Sequence, residues 1–201
     1  MDVAQRGEHM VAFYESDNFL TALVADFLAP AVRGGGHALA IATGPHRGGV
    51  THALLGELDA VGTASLVMYD AAQTLSSLRV GGALDPVRFR TVVSGLLASL
   101  AADGKLVRIF GEMVALLYQD GEPAEALALE DMWNDLASSY EFDLLCAYPM
   151  RDFDSIESTG EFQHVCGRHT AVANQGYAGL GIDARHPHLL VLDRRVDADA
   201  D

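Results

Sequence analysis

The sequence predicts a single α/β domain built on a mostly parallel sheet with helices on both faces. Short, almost wholly apolar runs alternate with longer stretches whose apolar residues recur at helical spacing, an alternation typical of βαβ units. Half of the 201 residues are apolar, which is enough to fill one substantial core. Because no repeat, linker or shift in composition divides the chain, we expect one domain.

Five strands are predicted where apolar runs rich in β-formers lie between turn residues. They cover residues 9–14, 37–43, 65–70, 106–111 and 142–149. Helices are expected after Ser16 or Asp17, at 51–60, after Asp70, from Asp85 to about residue 103, and at 123–139. The segment GPHRGG at 44–49 is interpreted as a turn between the second strand and its helix. The acidic tail after Leu192 is expected to be disordered.

The charge balance limits the partners that this chain can bind. Its formal net charge is −15 and Lys105 is its single lysine, so a phosphate backbone would be repelled and direct nucleic-acid binding is not expected. The sequence has no apolar stretch of membrane-spanning length and no secretory leader, which predicts a cytoplasmic protein without a membrane partner. Cys146 and Cys166 form no CxxC pair and are interpreted as reduced thiols.

Candidate site residues follow from the geometry of open parallel sheets, whose ligand crevice lies beyond the carboxyl ends of the strands. At each predicted strand end the chain places polar or aromatic side chains, which would form a polar rim above an apolar sheet. The residues selected in this way are Tyr14, Glu15, Thr43, His46, Arg47, Asp70, Glu112 and Tyr148.

Nucleotide-binding and hydrolytic motifs are absent from the sequence. No GxxxxGKS/T loop is present, and Lys105 lies at the start of the fourth strand, at the edge of the sheet opposite the crevice. GxGxxG and GxSxG are missing as well, which argues against a dinucleotide site and a serine-hydrolase triad. We therefore expect no cofactor and predict that the protein is not an enzyme.

Several candidates have a structural interpretation beside the functional one. Glu112 is either a ligand contact and proton acceptor or a cap of the next helix, whereas capping alone accounts for Asp70. Trp133 lies in an amphipathic helix, where core packing is the commoner role and a ligand contact is the alternative. Cys146 lies in an apolar strand and is either a small buried hydrophobe or a contact to a ligand or metal.

The eight histidines raise the question of a metal site. His164, Cys166 and His169 share one short segment, but their spacing would not direct all three side chains to one side of a helix. No metal site is therefore predicted. The alternative is a site formed by His9, Cys146 and His169, which requires the fold to bring three distant segments together.

Six segments of the chain resemble a known family. They are HMVAFYESDNFL, HALAIATGPHR, RIFGEMVALL, LALEDMWNDLA, FDLLCAYPM and FQHVCGRHTAV, and they extend from about His9 to Val172. In these segments the chain is similar to the MEDS domain, a sensory domain of methanogens and methylotrophs and of a dichloromethane-responsive regulator. The resemblance implies a MEDS-like sensory domain over residues 9–175 and a C-terminal extension over 176–201.

The resemblance also implies a fold similar to the RecA-like ATPases without a working P-loop, and a role in sensing simple hydrocarbon derivatives. The family pattern highlights His9, Tyr14, Glu15, Gly111, Glu112, Trp133, Asn134, Cys146, Tyr148 and His169. Combined with the strand-end rule, it gives a candidate ligand-binding set of Tyr14, Glu15, His46, Arg47, Glu112, Trp133, Cys146 and Tyr148.

We therefore expect an intracellular sensor that binds a small organic ligand and shifts a contact with a signalling or regulatory protein. One alternative is an enzyme with Glu112 as general base and His46 or a tyrosine as acid. Another is a ligand-free interaction module, which would have a filled crevice and an exposed apolar patch. Helix faces at 96–100 and 113–117 are offered as surfaces for a homodimer.

Overall fold

One eight-stranded sheet organises the computed structural model of this chain, which describes residues 7–55, 65–153, 159–174, 182–183 and 186–191. Its strands are β1 (His9–Tyr14), β2 (His37–Ala42), β3 (Leu66–Asp70), β6 (Val107–Gly111), β7 (Asp143–Pro149), β8 (Ala171–Asn174), β9 (Ile182–Asp183) and β10 (His186–Val191). The order across the sheet is β3-β2-β6-β7-β1-β8-β10-β9. The first six strands in this order are mutually parallel, whereas β10 and β9 are added in antiparallel orientation.

Helices cover both faces of the sheet. They are α1 (Asp17–Arg33), α2 (Gly44–Leu55), α3 (Ala71–Leu78), α4 (Pro86–Leu100), α5 (Met113–Gln119), α6 (Pro123–Ala137) and α7 (Thr159–Cys166), with a 3-10 turn at Met150–Phe153. A short antiparallel ribbon joins β4 (Arg79–Val80) to β5 (Ala83–Leu84) between α3 and α4. The predicted α/β class is confirmed, and the six-stranded parallel sheet is consistent with a RecA-like arrangement.

Three helix starts agree with the caps that the sequence predicts. The Ser16 side chain accepts a hydrogen bond from the backbone N–H of Phe19 at the start of α1. Asp70 caps α3 in the same way, and Asp85 caps α4. Such a cap satisfies one of the four backbone donors that every helix leaves unpaired at its N-terminus.

The interpretation of GPHRGG as a turn is wrong, because α2 begins at Gly44 and contains the whole segment. Proline is tolerated in the first turn of a helix, so Pro45 does not prevent this start. Gly49 permits a close approach to α1, since a Cβ atom at this position would lie 2.5 Å from the Thr21 methyl carbon. Tertiary packing between α1 and α2 therefore outweighs the low helix propensity of glycine.

Alternate residues of each central strand point to opposite faces of the sheet. The face beneath α1 and α2 carries small side chains such as Ala12 and Ala40, whereas the other face carries larger ones such as Phe13 and packs against α3 to α7. Tyr14 belongs to the first core and Tyr148 to the second. The sheet therefore separates two residues that the sequence places in one crevice.

The helix faces offered for a homodimer are part of the core instead. Leu97 and Leu100 of α4 are buried within the chain, and so are Met113, Val114 and Leu117 of α5. Most of the apolar side chains on these faces are therefore not available to a second chain, because both helices cover the second face of the sheet, although Leu96 and Leu116 are only partly buried.

Some regions lie beyond the reach of the sequence pattern or of the described residues. β8 and β10 extend the sheet past the five predicted strands, and the four residues of β8 are too short a run to show a period.

The predicted helix end at 56–60 and the tail after Leu192 lie outside the described residues. Within the described part of the chain, no helix is both long enough and apolar enough to cross a membrane.

The contact between α1 and α2 can be tested with two neighbouring glycines. Gly49→Ala is expected to lower the free energy of unfolding by about 1–3 kcal/mol, because the new methyl group overlaps Thr21. Gly48→Ala is the matched control, since a Cβ at Gly48 meets nothing within 4 Å, and it should stabilise α2 by about 0.5–1 kcal/mol. Urea denaturation measures both, and equal effects would contradict the packing described here.

Candidate functional site

A polar site lies where the carboxyl ends of β2 and β6 meet, and we call its residues Tyr14, Asp17, Thr43, His46 and Glu112 the edge site. Glu112 follows β6 directly, and Thr43 follows β2. The chain leaves β2 through α2 on one face and leaves β6 through α5 on the other. In open α/β sheets such a divergence of connections marks the position where ligands bind.

The Glu112 carboxylate holds the edge site together. It accepts hydrogen bonds from the backbone N–H of Thr43 at 2.7 Å and from the Thr43 hydroxyl at 3.2 Å. His46 Nδ1 lies 2.6 Å from the same carboxylate. The predicted alternative that Glu112 caps α5 is wrong, since its side chain makes no capping hydrogen bond. The carboxylate instead joins the end of β6 to the start of α2.

His46 connects this buried carboxylate to the surface. Its Nε2 atom lies 3.3 Å from a carboxylate oxygen of the exposed Asp17, while the His46 side chain is only 8% exposed. The hydrogen bond to Glu112 raises the pKa of His46, burial opposes this shift, and Asp17 adds to it. Burial raises the pKa of Tyr14, whose ring meets His46 edge to face, and the charges of Glu112 and Asp17 add to that shift.

Glu15, Arg47 and Asp70 lie around the edge site without joining its hydrogen bonds to Glu112, whereas Tyr148 lies on the other face of the sheet. Arg47 donates a hydrogen bond to Asp70 at 2.8 Å, and Asp70 also caps α3 as predicted. Glu15 is exposed and directly precedes Ser16, the cap of α1. Carboxylates at residues 15 and 17 therefore surround the N-terminus of α1, which would disfavour a phosphate there.

A second group of polar side chains lies on the other face of the sheet, beneath α6. We call it the buried cluster, and it consists of His9, Glu130, Cys146 and His169, all less than 5% exposed. The ligand-type atoms of these four residues lie within 4.8 Å of one another. The fold thus brings together His9, Cys146 and His169, the combination named as the alternative metal site.

Glu130 is the member that the sequence analysis misses. It is fully buried, and its carboxylate accepts hydrogen bonds from the Tyr148 hydroxyl at 2.9 Å and from the Cys146 thiol at 3.2 Å. It precedes Trp133 by three residues and Asn134 by four, so all three lie on the same side of α6. A carboxylate on the apolar stripe of a helix is the signal that identifies it.

Electrostatics in the buried cluster follow from burial and from the close histidines. Burial by itself would raise the pKa of Glu130, but His169 and His9 beside it bring that pKa below its ordinary value. The thiol of Cys146 has a strongly raised pKa because of burial first and of the Glu130 charge second. The same two causes raise the pKa of the Tyr148 phenol.

Trp133 contacts neither the edge site nor a solvent crevice in this arrangement. Its ring packs edge to face against Phe89 at 5.2 Å and against Phe142 at 6.0 Å between centroids. It is 1% exposed, which is the core-packing role that the sequence analysis weighs against a ligand contact.

A parallel sheet with helices on both faces and a polar site at its carboxyl edge defines this chain as an α/β domain of RecA-like arrangement. The sequence model of the MEDS family, the methanogen/methylotroph, DcmR sensory domain, matches residues 8–169. The chain therefore belongs to the MEDS family, and its role is sensory or signalling. No curated protein matches the chain.

The fold resembles a solved structure from a structural study of a protein from Pyrococcus horikoshii OT3. The TM-score is 0.52 at 11% sequence identity, and the alignment covers 96% of this chain and 95% of the other. At this level of identity the likeness concerns the fold alone. It extends over nearly the whole length of both chains.

The raised pKa of His46 gives the edge site a pH dependence. A raised pKa in the folded state adds stability below the unfolded pKa of about 6.5, and this stability is lost as the pH rises through the folded pKa. The free energy of unfolding of the wild type should therefore exceed that of His46→Gln. The difference between the two should be larger at about pH 6 than at about pH 9. Urea denaturation over this range measures it, with His52→Gln, an exposed histidine of α2, as control. A pH-independent difference would contradict the assignment.

Proposed function

We propose that this MEDS domain senses a small organic ligand at the edge site and passes the signal to a partner protein. The observation that carries the proposal is the buried Glu112 carboxylate, which links the end of β6 to Thr43 and His46 at the start of α2. A buried carboxylate held by donors from another element is sensitive to any molecule that competes for those donors.

A ligand that accepts a hydrogen bond from Thr43 or His46, or that donates one to Glu112, would replace a contact that now holds α2 against β6. The site can therefore adopt two states. In one state Glu112 bonds to Thr43 and His46, and in the other the ligand replaces one of these contacts. Differential affinity for the two states is what converts binding into a signal. The exposed Asp17 lies 3.3 Å from His46, so a ligand that displaces the Asp17 side chain would reach the His46 ring from solvent.

The charges at the edge favour a neutral or cationic ligand. Glu15, Asp17 and Glu112 bring three carboxylates to the site, while Arg47, the nearest basic side chain of α2, is paired with Asp70. The chain as a whole has a formal charge of −15, which raises the cost of bringing an anion close. Simple alcohols, amines and halogenated hydrocarbons fit these conditions better than phosphates or carboxylates.

The partner that we propose presents a basic surface, since the acidic balance of this chain would steer such a surface towards it. Both cysteines are free, which agrees with a reducing compartment such as the cytoplasm.

Catalysis by Glu112 has less support than binding. A general base must lie within hydrogen-bond reach of the proton that it removes, but Glu112 is 3% exposed and its carboxylate already receives hydrogen bonds from Thr43 and His46. Glu112→Gln separates the two functions. An enzyme would lose turnover and keep its affinity, whereas a sensor would change its affinity.

Thermal denaturation with a panel of short-chain alcohols, amines, halogenated hydrocarbons and carboxylates tests the proposal. We expect at least one neutral or cationic compound to raise the melting temperature, and a ligand at about one hundred times its Kd adds about 2.7 kcal/mol. The shift should shrink in Glu112→Gln and persist in Glu141→Gln, an exposed glutamate before β7. Stabilisation by no compound, or by carboxylates alone, would contradict the proposal and favour a ligand-free interaction module.

A further inference from the structure

The buried cluster brings four electron-rich atoms together in the interior of the protein. Glu130 Oε2 lies 3.2 Å from His9 Nε2 and 3.2 Å from Cys146 Sγ, and those two atoms are 3.6 Å apart. The other oxygen of Glu130 lies 3.4 Å from His169 Nε2. The four residues come from β1, α6, β7 and the segment before β8, so the fold and not a local motif creates the cluster.

The outer nitrogens of both histidines are held by oxygen acceptors. His9 Nδ1 lies 2.9 Å from Asn134 Oδ1, and the Asn134 amide nitrogen donates to the Arg168 carbonyl, which fixes the orientation of that amide. His169 Nδ1 lies 2.7 Å from the Val165 carbonyl. A carbonyl oxygen can only accept, so each Nδ1 donates to its oxygen partner, and the Nε2 atom of each ring is the one that faces Glu130.

A buried carboxylate is costly unless positive charge compensates it. The His9 and His169 rings, whose centroids are 4.2 Å apart, both place an Nε2 atom beside this carboxylate. A divalent metal ion bound among these atoms would supply the compensating positive charge at a single point. With one thiolate and one carboxylate as ligands, the site would be neutral, which burial favours.

From this geometry we propose that His9, Glu130, Cys146 and His169 bind a zinc ion. Zinc is bound tetrahedrally by imidazole, thiolate and carboxylate, and its bond lengths separate the ligand atoms by about 3.3–3.7 Å. Glu130 Oε2, His9 Nε2 and Cys146 Sγ lie 3.2 to 3.6 Å apart, close to that spacing, and one ligand atom from each of the four residues lies within 4.8 Å of the others. Asn134 and Val165 supply the oxygen partners that orient histidine ligands at metal sites.

Four protein ligands leave no open position, so the zinc is a structural ion that ties α6 to the sheet. Binding forms a zinc–sulfur bond to Cys146 and releases the thiol proton to solvent. Tyr148 supports the carboxylate ligand, because its hydroxyl donates to Glu130 at 2.9 Å. The site lies on the face of the sheet opposite α1 and α2, and it is therefore distinct from the edge site.

Cobalt substitution of the full chain tests the proposal. The purified protein is stripped with a chelator, checked for folding by circular dichroism, and titrated with Co²⁺. We expect one equivalent to bind, with intense visible bands of a four-coordinate site and a sulfur-to-cobalt charge-transfer band, and we expect Zn²⁺ to displace it. Cys146→Ser should lose the charge-transfer band, whereas Cys166→Ser, which removes the other cysteine, should keep it.

A second pair of variants keeps the test valid if Cys146→Ser does not fold. Asn134→Ala removes the partner of His9 Nδ1 and should weaken Co²⁺ binding by about 10–100-fold, while Asp135→Ala, an exposed neighbour, should leave it unchanged. Failure of the folded chain to bind Co²⁺, weak bands of a six-coordinate ion, or a charge-transfer band that depends on Cys166 would each overturn the proposal.

Discussion

Burial of the Glu130 carboxylate is the constraint on which the rest of this structure depends. An isolated charge in the interior costs several kcal/mol, so its surroundings must compensate it. Compensation comes from His9 of β1, Cys146 and Tyr148 of β7 and His169 before β8. These contacts fix α6 against β1, β7 and the segment before β8, and they make a bound zinc ion a physical explanation for a polar centre in an otherwise apolar core.

The two polar sites are separate but close along the sheet. Gly111 of β6 lies opposite Cys146 of β7 in the strand register, and the next residue is Glu112 of the edge site. A Cβ at Gly111 would lie 3.8 Å from Cys146 Sγ, which is ordinary van der Waals contact. The paired strands β6 and β7 thus bring the edge site and the buried cluster within one residue of each other in the register.

The sequence predicts the fold class and most strands because long apolar runs carry a strong signal, and it predicts the caps of α1, α3 and α4 because capping is local. It also selects Glu112 and His46, since the carboxyl-edge rule needs only the strand ends. It places α2 wrongly because the contact between Gly49 and Thr21 is tertiary. The buried cluster depends on four distant segments, and the only local sign of its centre, Glu130, is the position of this carboxylate on the apolar stripe of α6.

Diffraction from crystals of the zinc-loaded protein, recorded on both sides of the zinc absorption edge, tests the central claim most directly. The account predicts one anomalous peak at the centre of His9, Glu130, Cys146 and His169, within about 2.0–2.3 Å of one atom from each. Density for a folded chain with Glu130 buried and no peak among these residues would contradict it.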